Sequence, residues 1–189
     1  MAKHRVGILL SGRGSNMAAL VEASRAGDCP YEVVLVASDK PEAPGLAWAR
    51  ENGVATFAQS PKGMAKADYE AAVDAALRSA GVQTIALAGY MRLLSNAFVA
   101  RWRDHIINIH PSLLPRYKGL DTHARAIAAG DAVAGASVHI VTEQLDGGAV
   151  LGRSEVPILP DDTPETLAAR VLKEEHRLYP RILAEFVRR

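Results

Sequence analysis

Five short apolar runs punctuate the first 110 residues, at 6–10 (Val-Gly-Ile-Leu-Leu), 31–36 (Tyr-Glu-Val-Val-Leu-Val), 54–57, 84–88 and 106–109, and most of the stretches between them carry a helical pattern. Runs of this length read as strands, and the run at 84–88, apolar at nearly every position, reads as one buried on both faces. Helical patterns at 17–26, in a short segment ending near Asn52-Gly53, at 67–80 and at 95–102 fill the gaps, with Asn16 and Ser95 as expected N-caps and Gly81 as a stop. Parallel strands need crossovers of this kind, so the alternation predicts βαβ units and a doubly wound, mostly parallel α/β sheet.

The pattern changes in the last third. A short helix is expected at 122–129 and strands near 136–141 and 149–156, the second of them antiparallel. Thr163-Pro164 then starts a helix that should reach about Leu178 before Pro180 interrupts or kinks it. No repeat, low-complexity tract or linker divides the chain. With 189 residues and 49% apolar content, it reads as a single domain over 1–189 with a substantial core.

The 22 basic and 21 acidic residues nearly cancel, which points away from nucleic acid and membrane surfaces and leaves small anionic ligands open. One cysteine, Cys29, allows no intrachain disulfide and no thiolate zinc cage. With no signal-peptide pattern and no run of transmembrane length, the expected compartment is the cytoplasm.

In a doubly wound sheet, ligands collect at the carboxyl ends of the strands. Three motifs fall there: Ser11-Gly12-Arg13-Gly14-Ser15-Asn16 after the first strand, Tyr90-Met91-Arg92 after the fourth, and Asn108-Ile109-His110-Pro111 at the end of the fifth. The glycine loop suits a monophosphate, bound by exposed amides at a helix start. It is no dinucleotide fingerprint, because Met17 replaces the third glycine, and no Lys-Ser/Thr follows as in a nucleoside triphosphate loop. A plain strand-to-helix turn is the alternative for an isolated glycine pair.

Asn108 and His110, two apart on a strand, point to the same face. Asp146, followed by Gly147 and Gly148, lies about thirty residues on and can reach the imidazole if the fold brings the segments together. An amide donor, a proton-transfer group and a carboxylate that charges it suit acyl transfer to a neutral nucleophile. A structural histidine is the alternative for His110. His139 reads as a pocket-wall or core residue and His4 as solvated. A metal held by His110, His123, His139 and Asp146 is not expected, since no compact ligand spacing occurs. A non-catalytic phosphate-binding module would need only the glycine loop and gives no reason for Asn108, His110 and Asp146 to occur together.

The Asn-x-His-Pro-Ser-Leu-Leu-Pro segment and the downstream Asp146 resemble the group of 10-formyltetrahydrofolate-dependent formyltransferases and hydrolases. The likeness runs through nearly the whole chain. The glycine loop and Glu174-Glu175-His176 are similar to the members that formylate 5-phosphoribosylglycinamide in purine synthesis. The resemblance implies a Rossmann-like formyltransferase fold, 10-formyltetrahydrofolate as co-substrate with no tightly bound cofactor or metal, and a monomer or homodimer acting on small molecules. It assigns the phosphate to Gly12, Arg13, Gly14, Ser15, Asn16 and Met17, and the rest of the acceptor to Pro111 and Glu175. The folate falls to Lys66, Met91, Arg92, Leu93, Leu94, Asn108, Thr142, Glu143, Gln144, Leu145 and Asp146. Two positions depart from relatives: Lys66 replaces an arginine, exchanging a two-pronged donor for a point charge, and Asp121 stands where some relatives have histidine. Formyl transfer to another amine and hydrolysis of the formyl-folate are the neighbouring activities.

Overall fold

A computed structural model describes residues 2–189. Seven strands form one sheet, β1 (His4–Leu10), β2 (Tyr31–Ser38), β3 (Thr56–Ala58), β4 (Thr84–Leu87), β5 (Ile106–His110), β6 (Val133–Ile140) and β7 (Val150–Pro157), in the order β3-β2-β1-β4-β5-β6-β7. The chain begins at β1, moves outward through β2 and β3, and returns across β1 to β4 and β5, with these pairs parallel. The direction of winding reverses between β1 and β4, where a crevice opens at the carboxyl ends of the strands.

β6 pairs antiparallel with β5, and β7 antiparallel with β6. The strand that runs against the rest is therefore β6, not β7 as the sequence suggested. Nine residues separate β6 from β7, enough for a hairpin and too few for a crossover helix.

Helices α1 (Ser15–Ser24), α2 (Pro44–Glu51), α5 (Thr122–Ala128) and α6 (Pro164–Phe186) cover one face, and α3 (Lys66–Ser79) and α4 (Asn96–Arg101) the other. Alternation along the strands feeds both layers. Ile8 and Ile107 pack with Met17, Leu46 and Tyr179, whereas Leu9 and Ile106 pack with Tyr69, Leu77, Phe98 and Trp102. Ser95 caps α4 as expected, its hydroxyl accepting from the Phe98 amide. No helix among the described residues is long and apolar enough to cross a membrane.

Two helix expectations need correction. Asn16 does not cap α1: the N-cap is Gly14, at φ 77°, and Asn16 lies inside the first turn, where its amide donates to Glu175 Oε2 at 2.8 Å. Nor does Pro180 end α6, which runs on to Phe186. Proline there removes the hydrogen bond to the His176 carbonyl. Against that loss, Leu178, Tyr179, Ile182 and Leu183 are all at most 3% exposed, and burying each is worth about 2–3 kcal/mol. The Tyr179 hydroxyl also reaches the carbonyls of Leu87 and Ile107 at 3.0 and 3.1 Å, tying α6 to β4 and β5.

Candidate active site

Beside the crevice between β1 and β4, at the carboxyl ends of β4 and β5, lies a cleft of about 830 Å³. Its floor is the end of β5. Asn108 and His110 line the cleft from that strand, and the loop after β6 brings Asp146 to within 3.6 Å of both histidines, Oδ2 from His110 Nδ1 and Oδ1 from His139 Nε2. The glycines after Asp146 have a steric reason at Gly148, where a Cβ would collide with the Ile140 carbonyl.

The hydrogen bonds fix the proton positions. His139 Nδ1 lies 3.0 Å from the Ile140 carbonyl and must donate to it, so in the neutral ring Nε2 carries a lone pair. That lone pair accepts from Asn108 Nδ2 at 3.2 Å. Burial pushes the His139 pKa down, more strongly than the Ile140 hydrogen bond and Asp146 raise it, which keeps the ring neutral. Asn108 thus spends one N–H on His139 and keeps the other.

His110 is arranged differently. Its Nε2 lies 2.9 Å from the Tyr117 carbonyl and donates to it, while Nδ1 faces the Asp146 carboxylate. Both ring nitrogens of His110 therefore face acceptors, a backbone carbonyl on one side and a carboxylate on the other. Asp146 Oδ2 accepts from the Gly119 amide at 2.9 Å.

The apolar slot lies on the other side of the floor. Met91, Leu93, Leu120 and Leu145 all line the cleft although each is more than half exposed, and such a cluster is a ready surface for a flat apolar ligand. Ser11 joins this wall to the glycine loop: its hydroxyl accepts from the Met91 amide at 2.9 Å and donates to Asp39 at 2.6 Å. Arg92, Leu94, Thr142, Glu143 and Gln144 also line the slot, with Lys66 at the start of α3 and Asp121 at the start of α5.

On the side nearer the glycine loop, Asn16, Pro111 and Glu175 line the cleft. Burial raises the Glu175 pKa, opposed by the Asn16 amide and by the charge of His110. Gly12, Arg13, Gly14 and Ser15 form the loop beside it without lining the cleft itself. The Met17 side chain is wholly buried in the core, so only its backbone faces the helix start.

His139 is the pocket-wall residue that the sequence suggested, but its bond to Asn108 was not foreseen, nor were Tyr117 and Gly119. The register explains the first, since Asn108 and His139 stand directly opposite across β5 and β6. Spacing within either strand cannot show this. No group of three or more metal-ligating side chains occurs among the described residues.

A doubly wound sheet whose β5 end and β6–β7 loop converge an amide, an imidazole and a carboxylate defines the formyl transferase class, and the chain belongs to the formyl transferase family, which it matches over residues 4–183. Within that family it is similar to phosphoribosylglycinamide formyltransferases and to part of longer trifunctional purine biosynthetic proteins. The crystal structure of phosphoribosylglycinamide formyltransferase from Brucella melitensis superposes with a TM-score of 0.95 at 52% identity, covering 98% of this chain and 96% of that one. The Haemophilus influenzae phosphoribosylglycinamide formyltransferase is 38% identical over 183 residues, 96% of this chain and 86% of its own length. The trifunctional purine biosynthetic protein adenosine-3 of Drosophila melanogaster is 44% identical over 188 residues, but the chain spans only 14% of that longer protein.

Proposed function

We propose that this chain, acting as one domain over 1–189, transfers the formyl group of 10-formyltetrahydrofolate to the amine of 5-phosphoribosylglycinamide. The observation that carries the reading is the position of Asn108, His110 and Asp146 on the floor of one cleft, between a glycine loop at a helix start and an exposed apolar slot. The relatives' names supply the acceptor, and the two walls suit its phosphate and a pteridine.

The acceptor amine attacks the formyl carbon, forming a C–N bond and placing negative charge on the formyl oxygen. The uncommitted N–H of Asn108 and the Nδ1–H of His110 are the donors for that charge. The intermediate collapses by breaking the bond from carbon to the folate nitrogen, which takes a proton from His110 Nδ1. The proton that the acceptor nitrogen loses returns to His110 Nδ1, so protons and charge balance over the turnover. Asp146 orients the His110 ring through its contact with Nδ1. Gly12, Arg13, Gly14, Ser15, Asn16 and the Met17 amide hold the phosphate, far enough from the formyl carbon to orient without reacting. Glu175 and Pro111 receive the glycinamide, and Lys66, Met91, Arg92, Leu93, Leu94 and residues 142–145 receive the folate. A folate co-substrate released after each turnover requires an intracellular pool, in keeping with a cytoplasmic enzyme.

Mixing the protein with 10-formyltetrahydrofolate and a set of amines tests this by the absorbance of deformylated folate. Turnover should depend on phosphoribosylglycinamide. Equal folate release without any amine would make the protein a hydrolase, and no release with any amine would leave only a binding module.

A further inference from the structure

The loop that holds His110 has a second anchor on its far side. Tyr117, whose carbonyl takes the His110 Nε2 proton, sits at φ 53°, and its ring packs at the edge of the core outside the cleft. Its hydroxyl donates to Asp131 Oδ2 at 2.6 Å, and Arg116 Nη2 donates to Asp131 Oδ1 at 2.7 Å. The guanidinium groups of Arg116 and Arg125 lie 5.2 and 5.3 Å from the centre of the ring, within cation–π range. Arg125 also donates to the carbonyls of Lys118 and Leu120, at 2.7 and 3.2 Å. These contacts hold the segment whose Tyr117 carbonyl meets His110 and whose Gly119 amide meets Asp146.

The identity of the transferable proton depends on this segment. A carbonyl accepts and never donates, so while Tyr117 stays in place His110 must carry hydrogen on Nε2. The exchangeable position is then Nδ1, beside Asp146. Without the carbonyl, the neutral ring is free to carry its hydrogen on Nδ1 and leave Nε2 bare, and it is free to turn. A left-handed backbone at a tyrosine is unfavourable by itself and persists only where the surroundings impose it. The phenol–carboxylate bond is one such contact: it holds the Asp131 carboxyl below its ordinary pKa and raises that of the phenol.

We propose that Tyr117 and Asp131 are a positioning pair for the formyl transfer: the phenol–carboxylate bond fixes the Tyr117 carbonyl against His110 Nε2 and thereby reserves Nδ1 for the proton given to the departing folate nitrogen. Neither residue touches substrate; both act through the His110 ring. The inference rests on the reading of His110 as the proton donor.

The test compares Tyr117→Phe, Asp131→Ala, Asp131→Asn and the Tyr117→Phe/Asp131→Ala double variant, using kcat, both KM values and the 15N signals of the His110 ring. Tyr117→Phe and Asp131→Ala should each lower kcat about tenfold with either KM changed less than about threefold, the signature of misplaced rather than unbound substrate machinery. The double variant should fall no further than either single one, as for two ends of one bond. Asp131→Asn, which still accepts from the phenol, should restore kcat to within about threefold of the parent. The His110 signals should show Nε2 protonated in the parent and in Asp131→Asn, and a mixture of forms in Tyr117→Phe. Unchanged kcat and ring signals in folded Tyr117→Phe would overturn the proposal. So would equal losses in Asp131→Asn and Asp131→Ala, which would assign the effect to the Arg116 ion pair. His110→Ala tells the two readings apart: retained turnover there would remove His110 from the chemistry, whatever the ring signals show for Tyr117.

Discussion

Asn108 is set as a donor by a histidine that never needs to ionise. Because His139 gives its Nδ1 proton to the Ile140 carbonyl and is kept neutral by burial, its lone pair faces Asn108 and fixes the amide with its nitrogen toward β6. An amide oriented in advance costs nothing to reorient when charge develops on the formyl oxygen. Asn108→Ala should therefore bind both substrates with little change and lose on the order of 10²- to 10³-fold in kcat. Steady-state kinetics beside calorimetric binding would read this, and near-normal turnover in a folded variant would make Asn108 structural. The sequence carried half of this pair. Two-residue spacing placed Asn108 and His110 on one face, but the partner came from a strand about thirty residues away, and only the antiparallel register puts His139 opposite Asn108.

At the scale of elements, the glycine loop is a packing joint as well as a candidate phosphate site. Gly14 caps α1 at φ 77°, and a Cβ there would meet Met17 Cε at 2.9 Å and the Gly45 backbone at 3.0 Å, since the start of α2 packs directly on the loop. A Cβ at Gly12 would meet nothing within 4 Å. The two glycines should separate by experiment. Gly14→Ala should lower stability by about 1–2 kcal/mol from its backbone alone. Gly12→Ala should melt like the parent yet bind phosphoribosylglycinamide more weakly, with folate binding unaffected. Equal affinity for the acceptor in Gly12→Ala would remove the phosphate from this loop. The order of strands and helices was legible because hydrophobic period, caps and glycine stops agreed from β1 to α5. It failed where tertiary packing outweighed local preference: α6 runs through Pro180 because its buried face continues beyond it, and Asn16, a good cap by type, is turned toward Glu175 by the arrival of α6.

Across the molecule, burial lowers the pKa of four histidines, His4, His123, His139 and His176. Each binds a proton more readily in the unfolded chain, so their contribution is fully present above about pH 6.5, the ordinary histidine value, and is lost as pH falls through the lower folded values. Glu175, raised by burial, works in the opposite sense as one group against four. The melting temperature should fall between pH 7.5 and pH 5, and His139→Gln should flatten part of that slope; a melting temperature level over this range would contradict the neutral state given to His139. The bond from Tyr179 to the carbonyls of Leu87 in β4 and Ile107 in β5 has a further consequence, in the order of synthesis. A ribosome releases β1 through β5, with both members of the Asn108–His110 pair, long before it releases α6. Until that helix emerges, the floor of the cleft lacks the hydroxyl that ties its two strands and the carboxylate of Glu175 beside it. A nascent chain therefore holds Asn108 and His110 early and the helix that braces their strand last.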